Sequence, residues 1–239
     1  MITAKGICKY FRKPDGGVFT ALDNVDITVG SGQLAVIAGE NGSGKSLLMR
    51  ILASLEKPSE GTVRTEGEIG LVFQDADSQI LADTPLEDVM FGLRRRKDIS
   101  KTEMMDIAMN ALEKAGLADC ADNPSHLLSG GQKRRLAVAS ILALDRRTMI
   151  FDEPYSNLDY PGVRSVNAII RDLKDSGYTI IILTHELEKC LAMADRLMVL
   201  NKGRMMFDGE PSDALSLDLE KWGIRNPSRS GSLQDLVWL

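Results

Sequence analysis

Short apolar runs alternate along this chain with stretches of helical periodicity. Four continuous apolar runs are typical of strands buried on both faces; they are residues 34–38, 69–73, 148–151 and 178–184. A helical stretch from about Gly162 to Ser176 lies between the last two runs, and Gly177 ends it. Strands that alternate with helices predict an α/β fold with a mainly parallel sheet.

The middle of the chain, about 83–145, has a helical pattern throughout. Ser100 and Glu103 form a capping box before one apolar stripe, Gly116 ends that stripe, and a second stripe runs from 136 to 144. A helical block between strands of one sheet predicts an inserted α-helical subdomain. The predicted division is one domain over 1–239, with a core of about 1–82 and 146–215, the helical subdomain at 83–145 and a short tail at 216–239.

Two regions have the pattern of antiparallel strands. The first ~30 residues carry short β-like stretches around a turn at Lys13–Gly17. Near the other end, apolar segments flank the turn Asn201–Gly203, which predicts a hairpin. We therefore expect an antiparallel β part at the N-terminal side of the core.

Composition narrows the function classes. The 239 residues include 29 Lys and Arg against 34 Asp and Glu, a net charge of −5, with 44% hydrophobic and 26% charged residues. These are globular values, and they exclude collagen and a mainly disordered chain. We expect neither secretion nor a membrane span, because no apolar run approaches the ~20 residues that a bilayer requires. The acidic balance argues against nucleic acid as a partner, and three scattered cysteines predict reduced thiols.

A phosphate-binding motif follows the 34–38 run. Its glycines let the backbone wrap a phosphate chain, and the helix that follows adds the positive end of its dipole. Lys45 would reach the β- and γ-phosphates of ATP, and Ser46 would ligate Mg²⁺. A glycine turn that matched this motif by chance would not be expected to follow a strand and precede a helix, as this one does. The predicted ATP-binding residues here are Gly39, Asn41, Gly42, Ser43, Gly44, Lys45 and Ser46.

Two carboxylates end the 148–151 run. Asp152 suits Mg²⁺, either as a ligand or in support of one, and Glu153 could deprotonate a water in line with the γ-phosphate. A general base of this kind accelerates a reaction by ~10²–10⁴-fold. A glycine-rich helix start at Leu128–Gln132 offers a second anion site.

Together these motifs resemble the ABC (ATP-binding cassette) ATPases, over about residues 2–215. The matching residues are Gly39–Ser46, Gln74, Leu128–Gln132, Asp152–Pro154, Ser156–Asp159 and His185, in the family's order. The resemblance implies a RecA-like P-loop core and two cassettes packed head to tail. It also implies that the signature residues of one cassette contact the γ-phosphate held by Lys45 of the other; these residues are Ser129, Gly130, Gly131 and Gln132.

The remaining roles follow from the resemblance, position by position. Gln74 would sense Mg²⁺ and water, and His185 would contact the γ-phosphate. Asp159 would couple the two sites of the dimer. Phe11 best matches the aromatic residue that stacks on adenine, with Tyr10 as the alternative.

A narrower resemblance points to the ATPase subunit of energy-coupling factor importers, which take up vitamins or cobalt and nickel ions. It rests on Gln79, five residues after Gln74, and on the segments 87–92 and 128–137, although Ala76 replaces a common proline. The implied partners are a transmembrane coupling subunit, a substrate-binding membrane subunit and a second cassette, identical or paralogous. The implied location is peripheral, at the cytoplasmic face of the membrane.

In this branch, acids beside the loop glutamine would face arginines on the membrane subunit's coupling helices. The candidate acids are Asp75, Asp77, Glu87 and Asp88.

Three other interpretations remain. The chain could serve another class of ABC transporter, or a soluble cassette ATPase of DNA repair or translation, although it lacks the long insertions or fused second cassette of those proteins. It could also be a binding module with a dead site, against which intact Lys45, Asp152, Glu153 and His185 argue. The chain departs from the family pattern at Tyr155, where threonine is frequent, and at Asn157, where many relatives have alanine or glycine. Neither departure removes a catalytic group.

Overall fold

The computed structural model describes residues 1–229. Over this part of the chain the strands and α-helices are, in order, β1 (Ile2–Arg12), β2 (Val18–Val29), β3 (Leu34–Ala38), α1 (Lys45–Leu52), β4 (Glu60–Thr65), β5 (Ile69–Val72), α2 (Pro85–Leu93), α3 (Lys101–Lys114), α4 (Gly130–Ala143), β6 (Thr148–Asp152), α5 (Tyr160–Asp175), β7 (Thr179–Thr184), β8 (Arg196–Asn201), β9 (Arg204–Gly209) and α6 (Pro211–Leu215).

The chain folds into two units. The first joins Met1–Glu66 to the chain from Thr179 onward, and the second is Gly67–Tyr178.

Parallel strands form the centre of the first unit. Strand β3 pairs in parallel with both β7 and β8, and β9 turns back antiparallel to β8. Every residue of β3 and β7 is buried, as expected for apolar runs covered on both faces. The predicted C-terminal hairpin is confirmed, and its turn uses positive φ angles at Lys202 (48°) and Gly203 (77°).

The same unit contains an antiparallel sheet of β1, β2 and β4, in which β1 lies in the middle. Ile2, Ala4 and Ile7 of β1 are fully buried. The predicted turn between β1 and β2 is closed by a hydrogen bond from the Lys13 amide to the Gly17 carbonyl (2.8 Å). The expected antiparallel part is therefore present.

The second unit combines a parallel strand pair with helices. Strand β5 pairs in parallel with β6. A side chain at Gly70 of β5 would lie 2.1 Å from Cγ2 of Ile141, so only glycine lets α4 pack this closely on the strand. Helices α2, α3 and α4 share an apolar core, as the two stripes predicted; its fully buried members include Val89, Leu93, Ala108, Leu112, Leu136 and Ala139. The predicted capping box of α3 is also present.

Helix α5 begins two residues earlier than the periodicity predicts. Asp159 caps it by accepting a hydrogen bond from the Gly162 amide (2.9 Å), and Pro161 lies in the first turn, where no intrahelical N–H is needed. The helix ends before Gly177, which has a φ of 80°. The α/β class, with an antiparallel part and a helical block, is confirmed.

Among residues 1–229, no helix is both long and apolar enough to cross a membrane. Cys8, Cys120 and Cys190 are buried free thiols, as predicted. Within the predicted tail, a 3₁₀ turn at Leu219–Trp222 is described, whereas residues 230–239 lie outside the described part.

Candidate functional site

The phosphate-binding motif forms a tight loop between β3 and α1. A side chain at Gly39 would lie 2.3 Å from the Leu200 carbonyl oxygen and 2.5 Å from Oγ of Ser43, so the first glycine allows the close approach. Gly44, directly before α1, has a φ of 107°, which a residue with a side chain rarely adopts. The loop is also fixed from outside, because the Gly203 amide donates to the Ser43 carbonyl (2.9 Å).

Lys45 reaches back over this loop. Its Nζ donates hydrogen bonds to the carbonyls of Gly39 (2.6 Å) and Glu40 (3.2 Å), and the residue is buried. Ser43 is 2% exposed, and its Oγ has no hydrogen-bond partner among the described residues. A buried hydroxyl without a described partner and a buried ammonium group in the same loop fit an anionic ligand, because burying a polar or charged group without full compensation is costly.

An exposed aromatic pair lies on the β1–β2 sheet. Phe11 is directly opposite Phe19, so both rings project from the same face, and both are about half exposed. Nζ of Lys9 lies 5.4 Å from the centre of the Phe11 ring. Sequence reasoning selected Phe11 and missed Phe19, whose position across the turn depends on the strand register.

Tyr10, the alternative to Phe11, is engaged elsewhere. Hydrogen bonding with the Cys8 side chain, together with Glu60, raises the pKa of Tyr10 to about 12. Phe11 therefore stays the better candidate for a ring that is available for stacking.

His185 follows β7 directly and is exposed. The turn after it is ordered by a hydrogen bond from the Glu186 amide to Oγ1 of Thr184 (3.0 Å) and by an ion pair between Lys189 and Glu186. The first unit thus carries the phosphate loop, the aromatic pair and this histidine.

In the second unit, the two predicted carboxylates end β6 and are buried, at 6% exposure for Asp152 and 5% for Glu153. Glu153 has a φ of 44°, in the left-handed region. Such a conformation costs about 1–3 kcal/mol for a residue other than glycine, and it is found most often at functional sites.

The loop after Glu153 explains both departures from the family pattern. Tyr155 is buried, and its hydroxyl donates to Oδ1 of Asn167 on α5 (2.8 Å). Asn157 has a φ of 61°, which asparagine tolerates better than most residues. Neither residue occupies the position of a catalytic group.

The signature segment forms the start of α4. Ser129 caps the helix by accepting from the Gln132 amide (3.3 Å), and Gln132 Oε1 accepts from the Ser129 amide (2.8 Å). Ser129 and Gly130 are exposed, and a side chain at Gly130 would contact none of the described residues outside its own helix turn. This capped helix start can receive an anion.

The segment that carries Gln74 is fastened to α4. Arg134 is buried and donates from Nη1 to the Phe73 carbonyl, and Lys133 forms an ion pair with Asp77. Burial lowers the pKa of the Arg134 guanidinium. Gln74 itself is exposed.

Gln79, one of the residues on which the narrower resemblance rests, has a structural role. Its side chain donates to the Leu71 carbonyl (2.8 Å) and accepts from the Phe73 amide (3.1 Å). It therefore shapes the backbone on both sides of the end of β5.

Of the four acids predicted to face a partner, one is wrongly assigned. Asp88 is 6% exposed; its Oδ1 accepts from the amides of Leu81 (2.7 Å) and Ala82 (3.3 Å), and its Oδ2 accepts from Ser140 Oγ (2.9 Å). It is a structural acceptor inside the second unit. The other three are exposed; they are Asp75, Asp77 and Glu87.

The glycine-rich loop lies between a buried strand and a helix, and it carries a buried lysine and a hydroxyl without a partner among residues 1–229. This arrangement defines a P-loop nucleotide-binding protein. A family model described as "ABC transporter" matches residues 22–156, more than half of the chain.

Curated and solved proteins agree with that match. The energy-coupling factor transporter ATP-binding protein EcfA of Methanosphaera stadtmanae is 36% identical over 214 residues, which cover 83% of this chain and 76% of that protein. CbiO1 of Clostridium perfringens, part of the ABC transporter complex CbiONQ, superposes with a TM-score of 0.81 at 28% identity, covering 95% of this chain and 96% of that one. The cassette MJ0796, in a dimeric post-hydrolysis state with ADP and Pi, gives 0.79 at 27% identity, covering 88% and 99%.

The chain therefore belongs to the ABC transporter family, among the ATP-binding proteins of the energy-coupling factor type. It binds nucleotide and is an ATP hydrolase of the ABC type.

Proposed function

We propose that this chain hydrolyses ATP to drive an energy-coupling factor importer, as the ATPase subunit on the cytoplasmic face of the membrane. The observation that supports it most directly is the loop in which Lys45 is buried and the Ser43 hydroxyl has no hydrogen-bond partner among residues 1–229, because such a loop suits a phosphate chain. The kinship with EcfA supports the transport role.

In the first unit, the proposed roles concern binding. The loop amides and Lys45 hold the β- and γ-phosphates, and Lys45 exchanges its carbonyl partners for phosphate oxygens. Phe11, with Phe19 beside it, offers a ring for adenine. His185 contacts the γ-phosphate.

In the second unit, Glu153 is proposed as the general base. It accepts a proton from water as the water oxygen bonds to the γ-phosphorus. The bond from that phosphorus to the bridging oxygen breaks, and ADP and phosphate leave. The left-handed backbone at Glu153 supports this role, because such strain is found most often at reacting groups.

Magnesium would be held by oxygen donors, for which the Ser46 hydroxyl, the Gln74 amide oxygen and the Asp152 carboxylate have the right chemistry. When bound, the ion neutralises charge on the β- and γ-phosphates. Gln74 is exposed at the end of a fastened segment and can respond to the ligand.

A second cassette is proposed to complete each site. Its exposed helix start would place Ser129, Gly130, Gly131 and Gln132 against the γ-phosphate held by Lys45. Asp159, exposed at the start of α5, would couple the two sites across the dimer.

The membrane partners are proposed to be a transmembrane coupling subunit and a substrate-binding subunit for a vitamin or a cobalt or nickel ion. Asp75, Asp77 and Glu87 are exposed carboxylates that can form bidentate hydrogen bonds with arginines. The predicted domain boundaries are also part of this proposal: a core of about 1–82 and 146–215, with a helical subdomain at about 83–145.

The test is co-expression with the membrane subunits and solute uptake by vesicles. The double variant Asp75→Asn, Glu87→Gln is expected to keep basal ATPase but to lose association with the coupling subunit, and uptake with it. Asp77 is left unchanged in this variant, because its ion pair with Lys133 fastens the Gln74 segment to α4. The matched control changes two acids elsewhere in the same unit: Asp106→Asn and Glu113→Gln. Equal uptake by both double variants would refute the docking role, and purification with ribosomes or DNA would favour the soluble class of cassette.

A further inference from the structure

Helix α2 exposes one narrow face on the second unit. Glu87, Phe91 and the capping residue Arg94 are exposed. Val89 and Leu93, on the opposite side of the helix, are fully buried in the helical core. Spacings of four and seven residues place Glu87, Phe91 and Arg94 in one row along the helix, which we call the α2 face. The α2 face therefore runs from the proposed docking acid Glu87 to the end of the helix.

Four cations occupy the chain where α2 ends, and three of them have no acidic partner in the described part. All four are exposed; they are Arg94, Arg95, Arg96 and Lys97. Arg96 pairs with Asp98 in a bidentate manner, from Nη2 to Oδ2 (2.6 Å) and from Nε to Oδ1 (3.3 Å). Arg94, Arg95 and Lys97 form no ion pair among residues 1–229, so three positive charges stay uncompensated.

The other acids whose charges act on Arg96 are engaged elsewhere. Glu103 accepts a hydrogen bond from the Ser100 amide (2.7 Å) in the capping box of α3. Asp145 forms an ion pair with Arg147 (3.3 Å). The positive charge at the end of α2 is therefore available to an anionic partner.

An aromatic ring lies beside these cations. Phe91 is 45% exposed, and the Arg94 guanidinium lies 5.3 Å from the centre of its ring. Water solvates an exposed phenyl ring poorly. Phenylalanine together with arginine and lysine is typical of helices that lie on a membrane surface, where the ring enters the headgroup region and the cations meet lipid phosphates. The α2 face thus has the chemistry of a lipid contact.

We propose that the α2 face rests on the anionic surface of the membrane, with Arg94, Arg95 and Lys97 on lipid phosphates and Phe91 among the headgroups. This inference rests on the proposed function, in which Glu87 docks on a membrane subunit. Phe91 and Arg94 lie only ~6 and ~10 Å further along the same row, at 1.5 Å per residue. The whole chain has a net charge of −5, so attraction to an anionic surface requires a local cluster of cations.

Co-sedimentation of the full chain with vesicles tests the proposal, because vesicles without membrane subunits offer only lipid as a partner. One set is pure phosphatidylcholine, and the other is equal parts phosphatidylcholine and phosphatidylglycerol. We expect binding to the anionic vesicles alone, and a fall in binding as salt is added, since salt screens exposed charges. Equal binding to both sets, or none to the anionic set at low salt, would overturn the proposal. Binding to double-stranded DNA in place of the anionic vesicles would assign the cations to nucleic acid and overturn it as well.

Charge variants locate the contact. The triple variant Arg94→Gln, Arg95→Gln, Lys97→Gln is expected to lower the partition coefficient about 5-fold for each charge removed. The control removes the same charge from exposed positions of the first unit and should bind as the wild type does; it is Lys5→Gln, Lys13→Gln, Arg64→Gln. Equal losses in the two triple variants would show that net charge alone governs binding and would contradict the assignment.

The ring is tested without a change of charge. Phe91→Ser is expected to weaken binding to the anionic vesicles several-fold, because the ring no longer enters the headgroup region. Leu55→Ser, at an exposed apolar residue of the first unit, should leave binding unchanged. Wild-type binding by Phe91→Ser would remove the ring from the proposed contact.

The assembled importer separates this inference from the function on which it rests. In detergent without anionic lipid, the triple variant at 94, 95 and 97 is expected to associate with the coupling subunit as the wild type does. Loss of association there would assign the three cations to the protein partner and overturn the lipid contact. A wild-type chain that failed to associate at all would refute the proposed function instead, while the vesicle assay would still decide the lipid contact.

Discussion

Arg134 lies on α4, the helix that begins with the signature residues, and it donates a hydrogen bond to the carbonyl of Phe73, the residue directly before Gln74. The guanidinium is buried, and its Nε has no hydrogen-bond partner among residues 1–229. The helix that begins with the signature motif and the loop that carries the proposed sensor glutamine are therefore connected within one unit. We therefore expect a displacement of either to affect the other through this contact.

Replacing Arg134 tests this connection. Arg134→Met is expected to lower the free energy of unfolding by about 1–3 kcal/mol, because the Phe73 carbonyl loses a charge-assisted partner. It should also reduce ATP turnover more than ATP binding. Urea titration and steady-state kinetics measure both effects, with Arg171→Met on the exposed face of α5 as the control. Wild-type turnover in a folded Arg134→Met protein would show that the contact is structural only.

Replacing Ser43 is expected to change the stability of the protein and its binding of ATP in opposite directions. Its buried hydroxyl has no hydrogen-bond partner in the described part of the chain, so Ser43→Ala is expected to stabilise the nucleotide-free protein by roughly 1 kcal/mol, within the range for a buried unsatisfied group. If that hydroxyl faces phosphate, the same variant binds ATP more weakly. Thermal unfolding with and without nucleotide separates the two effects, and a variant that is less stable without nucleotide would contradict the interpretation.

Asp88 should behave as a structural acceptor. Asp88→Ala removes the partner of two amides and one hydroxyl and is expected to cost about 1.5–3 kcal/mol. Asp88→Asn keeps Oδ1 for both amides, and Ser140 can turn its hydroxyl to accept from the new amide group, so most of the stability should remain. Urea midpoints of the two variants decide the matter; equal losses would mean that charge rather than acceptor geometry matters.

Dimer formation should depend on the nucleotide. Sedimentation of Glu153→Gln is expected to show a dimer with Mg-ATP and mainly monomer with ADP, because the γ-phosphate is the group that both chains would share. Ser129→Arg in the same background should stay monomeric. Ser125→Arg is unsuitable as the control, because Ser125 is buried. Lys101→Glu on the exposed start of α3 serves instead and should dimerise normally. A monomer under all conditions would contradict assembly with an identical copy.

The sequence predicted most of this fold because its signals are local. Apolar runs predicted β3, β5, β6, β7 and the β8–β9 hairpin, a capping box predicted helix α3, and the spacing of Gly39 to Ser46 predicted the loop. Strand β4 was not predicted, because it is mostly exposed and contains no apolar run. Contacts that depend on register or on long-range packing were not predictable. The pairing of Phe19 with Phe11 follows an irregular register near Lys9, and the burial of Asp88 depends on which face of α2 meets α4.

The most direct test of the account is phosphate release by purified Glu153→Gln, measured beside ATP binding. The carboxamide cannot take a proton from water, while the phosphate contacts remain. The account predicts near-normal ATP affinity and a loss of about 10²-fold or more in kcat. Glu113→Gln, an exposed acid of the same unit, should match the wild type in both measurements. Near-normal hydrolysis by Glu153→Gln would contradict the assignment of Glu153 as the catalytic base.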